Sequence, residues 1–216
     1  MANRILTKKE FIPLILIIAC FIIGFYFYPQ LPDKIPSHWN AQGEIDAWNS
    51  KDFAVWFFPS LGLIVYVLMT FIPFIDPLRR NYAKFALPYF WIRLLLIVFF
   101  LSLYLYVLLG ANININYFII PAISLLFIVM GLFLPKIKKN YFVGVRTPWT
   151  IHSEQVWDKT HVLAGKLYVL AGIATFLGLI FVDYAIFILL VSIIGASLIS
   201  VAYSYFIFRD IGGFNK

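Results

Sequence analysis

Charge is scarce in this chain. Only 12% of its 216 residues are charged, and it has a single cysteine, Cys20. A soluble globular domain carries about 25% charge, so the shortfall excludes a water-soluble protein and a disordered tail. One cysteine makes neither an intramolecular disulfide nor a thiolate metal cluster. Inside its apolar run, Cys20 reads as a small buried hydrophobe. Catalytic signatures are missing too: the sequence has no HExxH, no GxSxG and no GxxxxGK(S/T). No catalytic residue, cofactor or metal ligand set is therefore expected, and the chain does not read as an enzyme.

What is present is hydrocarbon. Apolar residues make up 62% of the chain and mean hydropathy is +0.90. A bilayer core about 30 Å thick needs about 20 apolar helical residues, and six runs approach or exceed that length: Phe11–Pro29, Phe53–Ile75, Pro88–Gly110, Tyr117–Leu134, Ala164–Val182 and Tyr184–Phe208. Without water to satisfy the backbone, such runs must be helical. The expectation is an all-α polytopic membrane protein with six transmembrane helices. Arg4, Lys8 and Lys9 precede the first run as in a signal peptide, but its core is too long and no small-residue cleavage site follows. Arg93 and Lys166 are the only charged residues inside the runs, and both are expected to extend their stems towards the headgroups. No Asp, Glu or His lies within them, which speaks against a proton relay or an intramembrane protease.

Lys and Arg set the orientation. Fifteen of the 17 fall on the side of the termini and of the second and fourth connections, leaving Lys34 and Lys51 opposite. Both termini are therefore expected in the cytoplasm, and the net charge of +7 needs no nucleic acid to explain it. Small residues at a spacing of four (Ser192, Ala196, Ser200 and Ser204, with Ala171/Thr175 and Ala174/Gly178) predict helix–helix seams. The chain divides into residues 1–110 and 111–216, each with three runs and one informative loop.

The outer loop, residues 30–52, is dense in turn-formers: Pro32, Pro36 and Gly43. It also gathers His38, Trp39, Asn40, Glu44, Asp46 and Trp48. One reading places the tryptophans in the headgroup layer; the other makes the segment a binding lip for a ligand, peptide or cation. The inner loop, residues 136–163, contains VGVRTPWT, in which Arg146 is a fork donor for carboxylate or phosphate. Ser153 is the expected N-cap of a short helix, with Val156 and Trp157 turned to the membrane. Glu154, Asp158 and His161 would share a neighbouring face. Either the acids pair with Lys159 or Arg146 on an interfacial helix, or Arg146, His152, Glu154, Asp158 and His161 form a docking surface or site.

These loops also carry a family likeness. IPSHWNAQGEIDAW (35–48) resembles the IPxHWNxxGxxD signature of a small membrane domain of unknown function. GVRTPWTIHSEQVWDKTH (144–161) is similar to the corresponding segment of the SdpI-type bacterial toxin-immunity membrane proteins. The resemblance implies an integral membrane protein of the bacterial cell membrane that protects against a secreted peptide toxin. It also implies a receptor that holds a cytosolic transcriptional repressor at the membrane. Mapped here, His38, Trp39, Asn40, Gly43, Glu44 and Asp46 would face the toxin. Arg146, Thr147, Pro148, Trp149, Glu154, Trp157 and His161 would face the repressor. A transporter or membrane enzyme acting on lipid or a small solute stays open as the alternative, as does a scaffold without a ligand.

Overall fold

The computed structural model describes residues 8–111 and 113–213, without the Lys8 side chain. Arg4 and Lys216 of the charge pattern lie outside the described residues. The apolar runs are helical, as the absence of backbone-solvating water in a bilayer demands. They are α1 (Phe11–Phe27), α2 (Lys51–Ile75), α3 (Ala86–Leu108), α4 (Asn116–Phe133), α6 (Glu154–Leu177) and α7 (Ala185–Asp210), with a short α5 (Pro148–His152) in the inner loop. Five helical stretches are long and apolar enough to cross a membrane. The last, Glu154–Asp210, takes in both α6 and α7, which the 3₁₀ segment Gly178–Tyr184 joins. The helical path breaks there at Phe181 (φ −120°, ψ 66°), and α7 turns back to pack along α6.

Large apolar side chains point outward along these helices, among them Ile15, Ile22, Leu68, Phe71, Phe187 and Leu198. On a soluble protein a surface so apolar is an aggregation hazard; here it is the lipid-facing wall of a multi-pass membrane protein. Helices α1, α2 and α3 pack together, α6 lies between α4 and α7, and α3 meets α4.

Two features depart from expectation. The outer loop is not turns alone but an antiparallel hairpin, β1 (Lys34–Trp39) and β2 (Ile45–Ser50), with irregular register around His38. Ile35 of β1 is buried with Ala54, Phe58, Leu101 and Tyr104, which seats the hairpin on α2 and α3. Arg93 does not snorkel. It is 1% exposed and forms an ion pair with Glu10, while its Nη1 donates to Thr70 Oγ1 at 3.0 Å. Lys166, by contrast, is exposed.

The seams are partly as expected. Ala196, Ser200, Ser204, Ala171 and Thr175 are buried, but Ala174 faces outward. A close backbone approach lies elsewhere, where Gly131 of α4 meets Gly165 of α6.

Candidate functional site

At the hairpin end, the turn between β1 and β2 is built by Asn40. Its N–H donates to the Glu44 carbonyl at 2.9 Å, and its carbonyl accepts from the Gly43 N–H at 2.9 Å. Asn40 Oδ1 accepts from the backbone N–H of Gln42 (3.0 Å) and Glu44 (2.9 Å), and its Nδ2 donates to Glu44 Oε2 at 2.9 Å. This Asx geometry is why asparagine suits such a position. Gly43 sits at φ +81°, and a Cβ there would fall 2.1 Å from Asn114 Oδ1, so glycine is required twice over. Asn114 of the α3–α4 connection and Asn116 at the start of α4 reach across and donate to the carbonyls of Gln42 (2.7 Å) and Ala41 (3.1 Å). Neither asparagine was singled out by sequence reasoning; only their place beside a helix N-terminus hinted at them.

His38 and Asp46 are different, because they build no turn. His38 Nδ1 lies 2.6 Å from Asp46 Oδ1 across the hairpin, and the histidine side chain is 68% exposed. Trp39 is half-buried against Tyr106, and Trp48 is exposed. Beneath this edge is an open cavity of about 300 Å³, lined by His38, Trp39, Asn40, Phe58, Asn116 and Ile186. Of the six outer residues singled out above, His38 and Asp46 are exposed and paired with each other, and Trp39 is half-buried. Asn40, Gly43 and Glu44 hold the turn.

At the opposite, basic end, the inner loop is tied down by buried polar groups that sequence reasoning also missed. Asp76 accepts from the backbone N–H of Leu78 (2.6 Å) and Tyr141 (2.9 Å) and from the Tyr82 hydroxyl (3.0 Å). Burial, and then the bond to Asp76, push the Tyr82 phenol up from its ordinary value. Asn140 accepts from the N–H of Phe142 (2.9 Å) and Val143 (2.7 Å) and donates to the carbonyls of Lys138 (2.9 Å) and Val143 (3.0 Å). The only sequence signals were an Asp-Pro pair and an Asn in a polar stretch.

The GVRTPWT segment then forms a capped helix. Thr147 is the N-cap of α5, Pro148 takes the first helical position, and Thr147 and Thr150 complete a reciprocal capping box. Thr147 Oγ1 lies 3.0 Å from Ser204 Oγ, which pins α5 to α7. Trp149 packs edge-on against Tyr205, and His152 edge-on against Phe208. Ser153 is an N-cap as expected, but of the 24-residue helix α6 and not of a short one.

The face expected for Glu154, Asp158 and His161 is not formed. Val156, Trp157 and His161 are all fully buried in the protein, not turned to lipid. Trp157 Nε1 donates to the Ile137 carbonyl at 2.8 Å, and the rings of Trp157 and His161 stack at 4.1 Å. His161 Nε2 accepts from the Val145 N–H at 3.0 Å, so that nitrogen is unprotonated and Nδ1–H donates to the Trp157 carbonyl at 2.8 Å. A Cβ on Gly144 would fall 2.2 Å from His161 Nε2, and Gly144 has φ +114°; the glycine makes room for the ring. Asp158 pairs with Lys138 at 3.3 Å, not with Lys159 or Arg146. Glu154 and Arg146 are exposed, and Arg146 Nη1 donates to the Tyr141 carbonyl at 2.7 Å. Replacing His161 with leucine is expected to lower stability by about 2 kcal/mol, because the half-buried Val145 N–H loses its acceptor. A thermal melt in detergent checks it; an unchanged melting temperature would show the bond to be dispensable.

The comparisons match this anatomy. Residues 15–63 match a domain of unknown function (DUF1648), the segment holding the hairpin. Residues 136–204 match the SdpI/YfhL protein family, the segment holding α5, α6 and most of α7. The chain is 28% identical over 207 residues to the protein named Immunity protein SdpI of Bacillus subtilis (strain 168), covering 95% of this chain and 99% of that one. No solved structure matches it. The chain is thus similar to the SdpI/YfhL family over residues 136–204 and, nearly end to end, to a protein named for immunity.

Proposed function

We propose that this chain is an immunity protein of the bacterial membrane, recognising a secreted peptide toxin at its hairpin end. The observation that carries the reading is the near end-to-end similarity to an immunity protein. The exposed His38–Asp46 pair and the cavity beside it supply a surface suited to a peptide. In this reading α6 and α7 each cross the bilayer, giving six crossings, and the lysine and arginine excess holds the basic end and both termini in the cytoplasm. The chain folds as two three-helix halves, 1–110 and 111–216. On the cytosolic face, Arg146, Trp149 and Glu154 are the parts of the inner motif accessible to a cytosolic repressor. Thr147, Trp157 and His161 act beneath them by holding the loop, and Pro148 starts α5 at the surface.

The test is protection. Cells expressing the chain are expected to survive Bacillus subtilis culture supernatant that kills the parent strain. His38→Ala and Trp39→Ala should abolish protection at unchanged membrane protein level, whereas Asn40→Ala should lower the level itself. Full protection by both His38→Ala and Trp39→Ala would sink the hairpin assignment. For the repressor arm, a pull-down on the full-length protein should lose its cytosolic regulator in Arg146→Ala; recovery of none from wild type would reject that arm.

A further inference from the structure

Arg146 has a second neighbourhood that docking of a repressor does not use. It lines a cavity of about 250 Å³ at the basic end, walled by Ile92 of α3, Phe127 and Met130 of α4, Tyr168 of α6 and Val201 of α7. That exceeds the roughly 150 Å³ at which an apolar protein cavity stays dry and takes up a hydrocarbon ring. Its side-chain hydroxyls are already paired. Ser197 Oγ donates to the Ile193 carbonyl at 2.8 Å and lies 2.8 Å from the Tyr168 hydroxyl, which therefore donates to it. Thr147 Oγ1 is taken up by Thr150 and Ser204. A polar solute would find no free hydroxyl in the interior, whereas hydrocarbon would find contacts.

The rim is another matter. Arg146 is exposed, spends one N–H on the Tyr141 carbonyl and has no carboxylate partner among the described residues. Its remaining N–H groups form the planar fork that fits phosphate oxygens. Basic pockets between helices on the side richest in lysine and arginine are where anionic headgroups bind. We infer that this cavity takes one acyl chain of an anionic phospholipid from the leaflet at the basic end, with Arg146 on its phosphate. The inference stands apart from toxin recognition, since it concerns the opposite end of the molecule and is read on purified protein without any peptide.

Native mass spectrometry of the full-length protein in detergent, titrated with phosphatidylglycerol or phosphatidylcholine, provides the test. Wild type is expected to retain phosphatidylglycerol about fivefold better: both lipids offer a phosphate, but choline cancels its charge and repels Arg146, whereas one basic residue facing a net anion gains about 1 kcal/mol. Arg146→Gln should erase that preference. Val201→Trp and, independently, Met130→Trp should fill the cavity and reduce retention of both lipids in protein whose melting temperature is preserved. Lys166→Gln, on the lipid-facing groove beside Gly165, should change nothing. Glycerol phosphate at millimolar concentration should not displace the lipid. Equal retention of the two lipids by wild type would overturn the inference. So would equal losses in Arg146→Gln and Lys166→Gln, which would mark ordinary annular lipid, or displacement by glycerol phosphate, which would mark an anion site without a chain.

Discussion

Replacing Glu10 by alanine is expected to destabilise the folded protein by about 3–5 kcal/mol, the range for removing one partner of a buried ion pair. Arg93 sits two turns into α3 and is sealed from solvent and lipid, with the rings of Tyr66, Tyr89 and Phe90 5.4–6.0 Å from its guanidinium. Glu10 supplies the only carboxylate of the described residues that meets it, and Tyr66 donates to the same carboxylate at 3.3 Å. Once the acid is gone, the cation has Thr70 and three ring faces, which do not replace a carboxylate in a low-dielectric interior. Arg93→Ala should cost a similar amount by stranding Glu10. The double variant Glu10→Met, Arg93→Met should recover most of the loss, because it removes both desolvated charges and refills their volume. Melting in detergent by tryptophan fluorescence measures all three. A Glu10→Ala protein that melts with wild type would show that the pair contributes nothing to holding the start of α1 against α2 and α3.

That ion pair also shows where reading the sequence runs out. The apolar runs are visible without coordinates because a bilayer leaves the backbone one economical solution over about 20 residues. Helix caps at Thr147 and Ser153 depend on residues three positions away, and only the second was anticipated because Pro148 suggested a rigid turn instead of a first helical residue. The Arg93 partner lies 83 residues earlier, beyond the reach of any local pattern, so the side chain looked like one of many that snorkel. Strand β1 contains Pro36, and proline in a strand is tolerated only where its missing N–H is not needed, as at an edge. That kept the hairpin hidden among turn-formers. The candidate site divides along the same line. His38, Arg146 and Glu154 are recognisable as exposed polar residues, whereas Asn40, Trp157 and His161 look equally chemical and spend their polar atoms on the backbone of their own loops. A motif marks both kinds of residue alike; only burial and hydrogen-bond partners separate them.

The helix pair that carries the inner loop should be just as sensitive to a single carbon. A Cβ added at Gly131 would lie 2.6 Å from the Gly165 carbonyl oxygen, and one at Gly165 would lie 2.7 Å from the Gly131 carbonyl oxygen. A third added at Gly172 would lie 2.8 Å from the Ser124 carbonyl oxygen. These obstacles are backbone atoms, which cannot rotate aside as a flexible side chain can, so α4 and α6 must separate. In membranes the energy of helix association comes largely from such close backbone packing, and overpacking typically costs about 1–3 kcal/mol. Gly165→Ala is expected to fall in that range and Gly165→Val above it, since the valine adds two more methyl groups to the same gap. Gly195 of α7 is the internal control, because a Cβ there meets nothing within 4 Å; Gly195→Ala should leave the melting temperature unchanged or raise it slightly through better helix propensity. The consequence reaches the loop above. Trp157 and His161 are carried by the same helix as Gly165 and hold the loop backbone at Ile137 and Val145. A displaced α6 should therefore shorten the protection of the Val145 amide against hydrogen exchange as well as lower the melting temperature. If Gly165→Val changed neither, the two helices would not be in the backbone contact described, and the support of the arginine-bearing loop would have to come from Asp76 through Tyr141 and from α7 through Thr147 and Ser204.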